Sequence, residues 1–155
     1  MLERIRVVGA GGRVGSTVSA RLAERGLPSD ASDPELILLC VPDRAISEAA
    51  AETPPGPWIA HVSGATPLAA LAPHVRRFSL HPLQTFSKTL GPEQLDGAWG
   101  AVTAESAEAL AVGRWLAETL GLRPFELADD AQLLDGLEAA RATGIGWLRN
   151  ATSRI

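Results

Sequence analysis

Between residues 4 and 26 the chain reads RIRVVGAGGRVGSTVSARLAERG, and this opening narrows the choice of folds more than any other stretch. Ile5, Val7 and Val8 are β-branched residues suited to a buried strand. Val14, Val18 and Leu22 then recur at helical spacing, and Gly26 is placed to stop the helix. Strand, glycine turn and helix in that order gather backbone amides at a helix N-terminus, where an anion is stabilised. In a turn that takes a pyrophosphate, the first glycine permits the tight bend and the second lets the backbone approach the phosphates. The third allows close helix–strand packing. Gly9 and Gly11 are in that register, whereas the next glycine falls at Gly15, with Val14 in the expected place. The loop reads equally as G-x-x-G-x-x-G through Gly12, and a purely structural turn has the same composition. Arg13, at the helix start, is placed either to meet a phosphate or to lie in solvent.

The rest of the chain alternates in the same manner. LILLCVP, from Leu36 to Pro42, is a continuous apolar run, as in a strand covered on both faces. A helix is expected over about Asp43–Thr53, a strand from Trp58 and a short helix from near Pro67. Val75–Leu80 reads as a fourth strand, WGAVTA around Trp99 as a fifth, and Arg123–Leu127 as a sixth. Thr103 is a candidate cap for the helix carrying Leu110, Leu116 and Leu120, with Gly121 as its terminator. A last helix is expected from Asp129 or Asp130 through Leu133, Leu137 and Ala140. This pattern predicts an α/β fold: three layers around a mostly parallel sheet with a reduced number of strands. The expected division is a domain over 1–128 and a C-terminal helix and tail over 129–155.

Composition removes several classes. At 155 residues, 46% of them hydrophobic, the chain is long enough for one self-sufficient core. Fourteen Lys and Arg against 18 Asp and Glu give a net charge of −4, which exerts no general attraction on nucleic acid or an anionic membrane. No run reaches the ~20 apolar residues of a membrane span, and Arg4 and Arg6 interrupt the stretch an export signal would need. A cytoplasmic location is expected. One cysteine, Cys40, excludes an internal disulfide, and its apolar run suggests an inert thiol.

Chemistry-bearing residues cluster after strands. His81 is expected to follow the fourth strand, at the sheet edge where ligands of such folds bind, with Gln84, Thr85 and Ser87 on the same loop. Ser63 ends another strand and can share its crevice; the alternative is that the loop polar groups only cap turns and the imidazole bonds to backbone. Asp43 reads first as a helix N-cap. No G-x-S-x-G elbow surrounds Ser63, which argues against a hydrolytic triad with His81 and Asp43. His61, His74 and His81 show no metal-binding spacing, so no metal is expected, and His61 and His74 read as structural. A full dinucleotide fingerprint also requires an acid about 20 residues past the glycines, at the end of a second strand. Between Gly26 and Glu35 there is no apolar run; Asp30 and Asp33 have the distance but lie in a turn-rich connector.

Taken together, VVGAGGRVG, LILLCVPD, HVSGA and FSLHPLQTF, in that order, resemble the Rossmann-like proteins with a DUF2520 domain. Those are NADP-dependent oxidoreductases by assignment, similar more distantly to pyrroline-5-carboxylate reductase and prephenate dehydrogenase. The resemblance runs from about Arg4 to Leu127, and SLHPLQTF is its most specific element. It implies that Gly9 and Gly11 approach the pyrophosphate of NADP or NAD; Gly12 and Arg13 are further cofactor-binding candidates from the loop itself. It places Val41, Pro42 and Asp43 beside the ribose and nicotinamide, and Ser63, Gly64 and His81 on the substrate crevice. Two departures from that family are expected: no apolar run stands for its second and third strands between Gly26 and Leu36, and the sequence after Leu127 reads as one helix and a tail where the family has a long helical domain.

Two functions follow as expectations. One is an NAD(P)-dependent oxidoreductase transferring a hydride to or from a small carbonyl or imine substrate. His81 would be its proton donor or orienting group, Ser63 the helper, and a second copy of the chain would close the cleft through Trp147 and Leu148. The other is a non-catalytic nucleotide-binding or interaction module that has lost the complete cofactor site.

Overall fold

A computed structural model describes residues 1–129. Six strands form one sheet in chain order: β1 (Ile5–Val8), β2 (Leu36–Leu39), β3 (Trp58–His61), β4 (Arg77–Pro82), β5 (Trp99–Ala104) and β6 (Arg123–Glu126). The first four run parallel, β5 runs antiparallel to β4, and β6 parallel to β5. The expected three-layer, mostly parallel architecture is therefore present. The period-two alternation of strands divides the core between two faces. Ile5, Val7, Leu36, Leu38, Trp58, Phe78 and Leu80 meet Val18 and Leu22 of α1 (Arg13–Glu24) and Leu116 of α3 (Ala107–Thr119). On the other face Ile37, Leu39 and Ile59 meet Ile46 and Ala50 of α2 (Ile46–Glu52), with Leu68 and Leu71 of a 3-10 turn.

Several boundaries differ from the sequence reading. The helix expected over Asp43–Thr53 divides into a 3-10 turn, Asp43–Ala45, and α2. The helix from Pro67 is only a 3-10 turn, Leu68–Leu71. The fourth strand begins and ends two residues later than expected, which puts His81 and Pro82 inside β4. Thr103 is no cap; it is buried in β5, and Ser106 accepts the Ala109 amide at 3.1 Å to start α3. Gly121 ends that region with φ +89°, a conformation that favours glycine. Leu133, Leu137, Ala140, Trp147 and Leu148, and the helix expected through the first three of them, lie outside the described residues.

The connector between α1 and β2 contains no strand among the described residues, yet it does not leave β1 bare. Ser29–Ala31 runs antiparallel beside it: the Val7 amide donates to the Ser29 carbonyl at 2.7 Å and the Ala31 amide to Ile5 at 3.1 Å. Arg6 and Arg4 hold the same segment, donating to the Ala31, Ser32 and Asp33 carbonyls. The edge position beside β1 is thus occupied by three residues of the connector.

Candidate functional site

Because β1–β4 are parallel, the segments that follow them emerge on one edge of the sheet. That edge carries the glycine turn, Cys40–Asp43, His61–Gly64 and His81.

Gly9 has φ +84°, and a Cβ there would overlap the Cys40 carbonyl, so it is required both by its dihedral and by contact with the end of β2. Gly15 is buried against the Gly9 carbonyl, which a side chain would overlap. The close-packing role of the third glycine therefore falls to Gly15, one residue later than the common spacing. Gly11 is different: a Cβ there meets nothing within 4 Å. Gly12 is the N-cap of α1 with no side-chain capping bond, and the first turn of that helix holds no acidic residue. The first-turn amides therefore point from a helix N-terminus that no side chain of its own satisfies. Arg13, exposed at the start of α1, stands beside them.

Val41 is half-buried, and Pro42 and Asp43 are exposed. The expected N-cap role of Asp43 is not observed. Pro42 occupies the cap position and Asp43 the first residue of the 3-10 turn, where its charge favours protonation of both His61 and His81.

The His81 ring is gripped by the turn after β3. Its Nδ1 lies 3.1 Å from the Val62 carbonyl, which can only accept, so the hydrogen is on Nδ1 and the neutral ring has a bare lone pair on Nε2. Gly64 packs flat on that ring; a Cβ there would lie 2.6 Å from Nε2 and 2.7 Å from Cδ2. Burial lowers the His81 pKa below the ordinary value, against the opposing pull of the Val62 bond and Asp43, so the ring is neutral near pH ~7. Ser63 does not touch His81 through a hydrogen bond of its own. Its Oγ accepts the Ala65 and Thr66 amides, both at 3.1 Å. Two acceptances use both lone pairs and leave the hydroxyl hydrogen as the group available to a ligand.

The loop after β4 is held from within. Gln84 donates to the Gln94 carbonyl at 3.0 Å, Ser87 Oγ pairs with Thr89 Oγ1 at 2.7 Å, and the buried Gln94 accepts the Ser87 amide at 2.7 Å. Gln84 and Ser87 thus close their own loop, and no sequence signal marked Gln94 as its anchor. His61, read as structural, is fully buried beside the site. Among the described residues no group of three or more His, Cys, Asp or Glu is placed to hold a metal, and no helix is long and apolar enough to cross a membrane.

No family model and no curated protein matches the sequence. Solved structures do match the fold. A Bacteroides fragilis protein provisionally assigned as an NADP oxidoreductase superposes with a TM-score of 0.71 at 20% identity, over 92% of this chain and 66% of that one. Prephenate dehydrogenase from A. aeolicus, solved with hydroxyphenyl propionate and NAD+, gives 0.67 at 12% identity, over 83% of this chain and 60% of that one. A semialdehyde dehydrogenase NAD-binding protein from Cupriavidus necator, solved with calcium and NAD, gives 0.59 at 23%, over 99% and 74%. The chain thus spans less than two thirds of the length of the first two. These similarities define its fold as the Rossmann-like fold found in NAD(P)-dependent oxidoreductases, in a form with a reduced sheet.

Proposed function

We propose that this chain binds NADP or NAD and acts in hydride transfer to or from a small carbonyl or imine substrate, as a relative of the DUF2520-type oxidoreductases. The observation that carries the reading is the glycine turn. Gly9 and Gly15 are consumed by packing, while Gly11 opens onto free space beside an α1 N-terminus that has neither a side-chain cap nor a carboxylate. That combination fits a pyrophosphate, whose charge the first-turn amides and Arg13 would meet. Val41, Pro42 and Asp43 would flank the ribose and nicotinamide side.

Bound there, the nicotinamide supplies the hydride donor or acceptor. The protein's part is orientation and the proton. His81 Nε2 accepts a proton from a hydroxyl or amine during oxidation and returns it during reduction, while Ser63 donates its hydroxyl hydrogen to the same small substrate. A partner copy of the chain would shield the cleft from water.

A specific observation favours the second reading, a non-catalytic nucleotide-binding or interaction module. Among the described residues neither acid at the fingerprint distance stands at a strand end for the adenosine ribose: Asp30 sits in the bridge opposite Arg6, and Asp33 lies 4.0 Å from Arg4. Titration with NADPH and with NADH, followed by tryptophan fluorescence and calorimetry, tests the proposal. Saturable micromolar binding supports it. Absence of heat and quenching at millimolar cofactor refutes it for the isolated chain.

A further inference from the structure

One peptide group joins two imidazoles at the end of β3. The carbonyl of Val62 and the amide of Ser63 belong to the same planar unit. The carbonyl accepts from His81 Nδ1 at 3.1 Å, and the amide donates to His61 Nδ1 at 3.1 Å. An amide can only donate, so the His61 Nδ1 is bare and its hydrogen is on Nε2. His61 is completely buried, and its Nε2 forms no hydrogen bond among the described residues. The one hydrogen bond this ring makes among the described residues is at Nδ1, while its Nε2 faces the Pro67 and Thr66 carbonyls without a well-formed bond.

We propose that His61 is a positioning residue: its Nδ1 fixes the orientation of the Val62–Ser63 peptide, and that peptide fixes the tautomer of His81. Because the peptide is rigid, a rotation that releases the Ser63 amide from His61 also swings the Val62 carbonyl away from His81. The His81 hydrogen is then no longer tied to Nδ1, and its lone pair is no longer fixed at Nε2 beside Gly64. Polarisation along the chain reinforces the arrangement, since each hydrogen bond to an amide strengthens the one at its other end. Burial holds the His61 ring neutral, against the pull of the Pro67 and Thr66 carbonyls, Asp43 and Asp129, and so preserves its acceptor. The inference deepens the functional reading and rests on it for the catalytic meaning of His81.

Nitrogen NMR of the histidine rings tests it without any cofactor. In the parent protein a coupling across the Ser63 N–H···Nδ1 bond to His61 is expected, and its absence overturns the proposal. In His61→Phe, which keeps a planar ring but has no acceptor, the single Nδ1–H pattern of His81 gives way to a mixture of tautomers. His61→Asn, whose amide oxygen stands near the Nδ1 position, restores the pattern; His61→Gln, with its amide near Nε2, does not. Thermal melts identify which variants fold. A folded His61→Phe with an unchanged His81 pattern, or Asn and Gln variants that behave alike, overturns it. Failure of NADPH to bind leaves this result standing, and loss of the coupling leaves cofactor binding standing, so the two claims fail separately.

Discussion

Gly64→Ala places one methyl group where the His81 ring lies. Residue 64 does not have the positive φ that would strain an alanine, so the effect comes from contact alone. The added Cβ would sit 2.6 Å from Nε2, whereas an ordinary contact begins at 3.4 Å, so the ring must retreat by about 0.8 Å. Val62 and Gly64 hold the ring from the same turn, and a ring pushed off one is drawn off the other. The 3.1 Å bond to the Val62 carbonyl is then stretched or lost. Loss of such a bond costs about 0.5–1.5 kcal/mol and overpacking about 1–3 kcal/mol. The alanine recovers about 0.4–1 kcal/mol through the less flexible unfolded chain. The expected net loss is about 0.5–4 kcal/mol, centred at ~2 kcal/mol, measured by urea unfolding, accompanied by loss of the single His81 tautomer in nitrogen NMR. A variant within about 0.5 kcal/mol of the parent that keeps the Nδ1–H pattern refutes the cradle.

Further outcomes follow from the same structure. Gly9→Ala combines a positive φ, worth about 1–2 kcal/mol, with overlap on the Cys40 carbonyl, and should unfold at clearly lower urea, whereas Gly11→Ala should leave stability within about 0.5 kcal/mol and weaken NADPH binding; equal stability losses in the two would contradict the division of roles. Glu35 accepts the Glu3 and Arg4 amides at 2.9 and 3.1 Å, which lower its pKa. A lowered folded pKa gives stability that is complete above the ordinary carboxylate range and lost as pH falls through the folded value. Glu35→Gln should therefore lose stability at about pH 7 and differ less from the parent at about pH 3, as read from urea midpoints. Burial pushes the Cys40 thiol up to about 12, so alkylation near neutral pH should be slow in the native protein and fast in denaturant. Rapid native labelling would show that the end of β2 is more open than its packing implies.

How much of this was readable in the sequence depended on how local the cause was. β2 was visible because a strand buried on both faces must be continuously apolar, and Leu36–Leu39 is completely so. The glycine turn was visible because a strand, a bend and a helix each leave a local signature. The third glycine was less so: spacing alone could not show that Gly15, and not residue 14, meets the Gly9 carbonyl. Thr103 attracted a capping role because it precedes a helical pattern, but its burial in β5 is set by pairing with Ser79 across the sheet. Ser106, three residues on, was left to cap the helix. The His81 cradle was only half readable. His81 and Ser63 were identified from their positions after strands, but the peptide shared with His61 depends on the β3–β4 pairing, which brings residues 19 apart into hydrogen-bonding distance. The antiparallel bridge of Asp30 to β1 left no pattern at all, since it rests on backbone bonds from a polar connector.

The central claim is that the turn opening at Gly11 is a pyrophosphate site, and amide chemical shifts of the labelled chain titrated with NADPH and NADH test it at the atoms concerned. The account predicts saturable shifts greatest at Gly11, Gly12, Arg13 and Val14, with a second set at Val41, Asp43 and His81. Shifts confined to other surfaces, or none at millimolar cofactor, would contradict it.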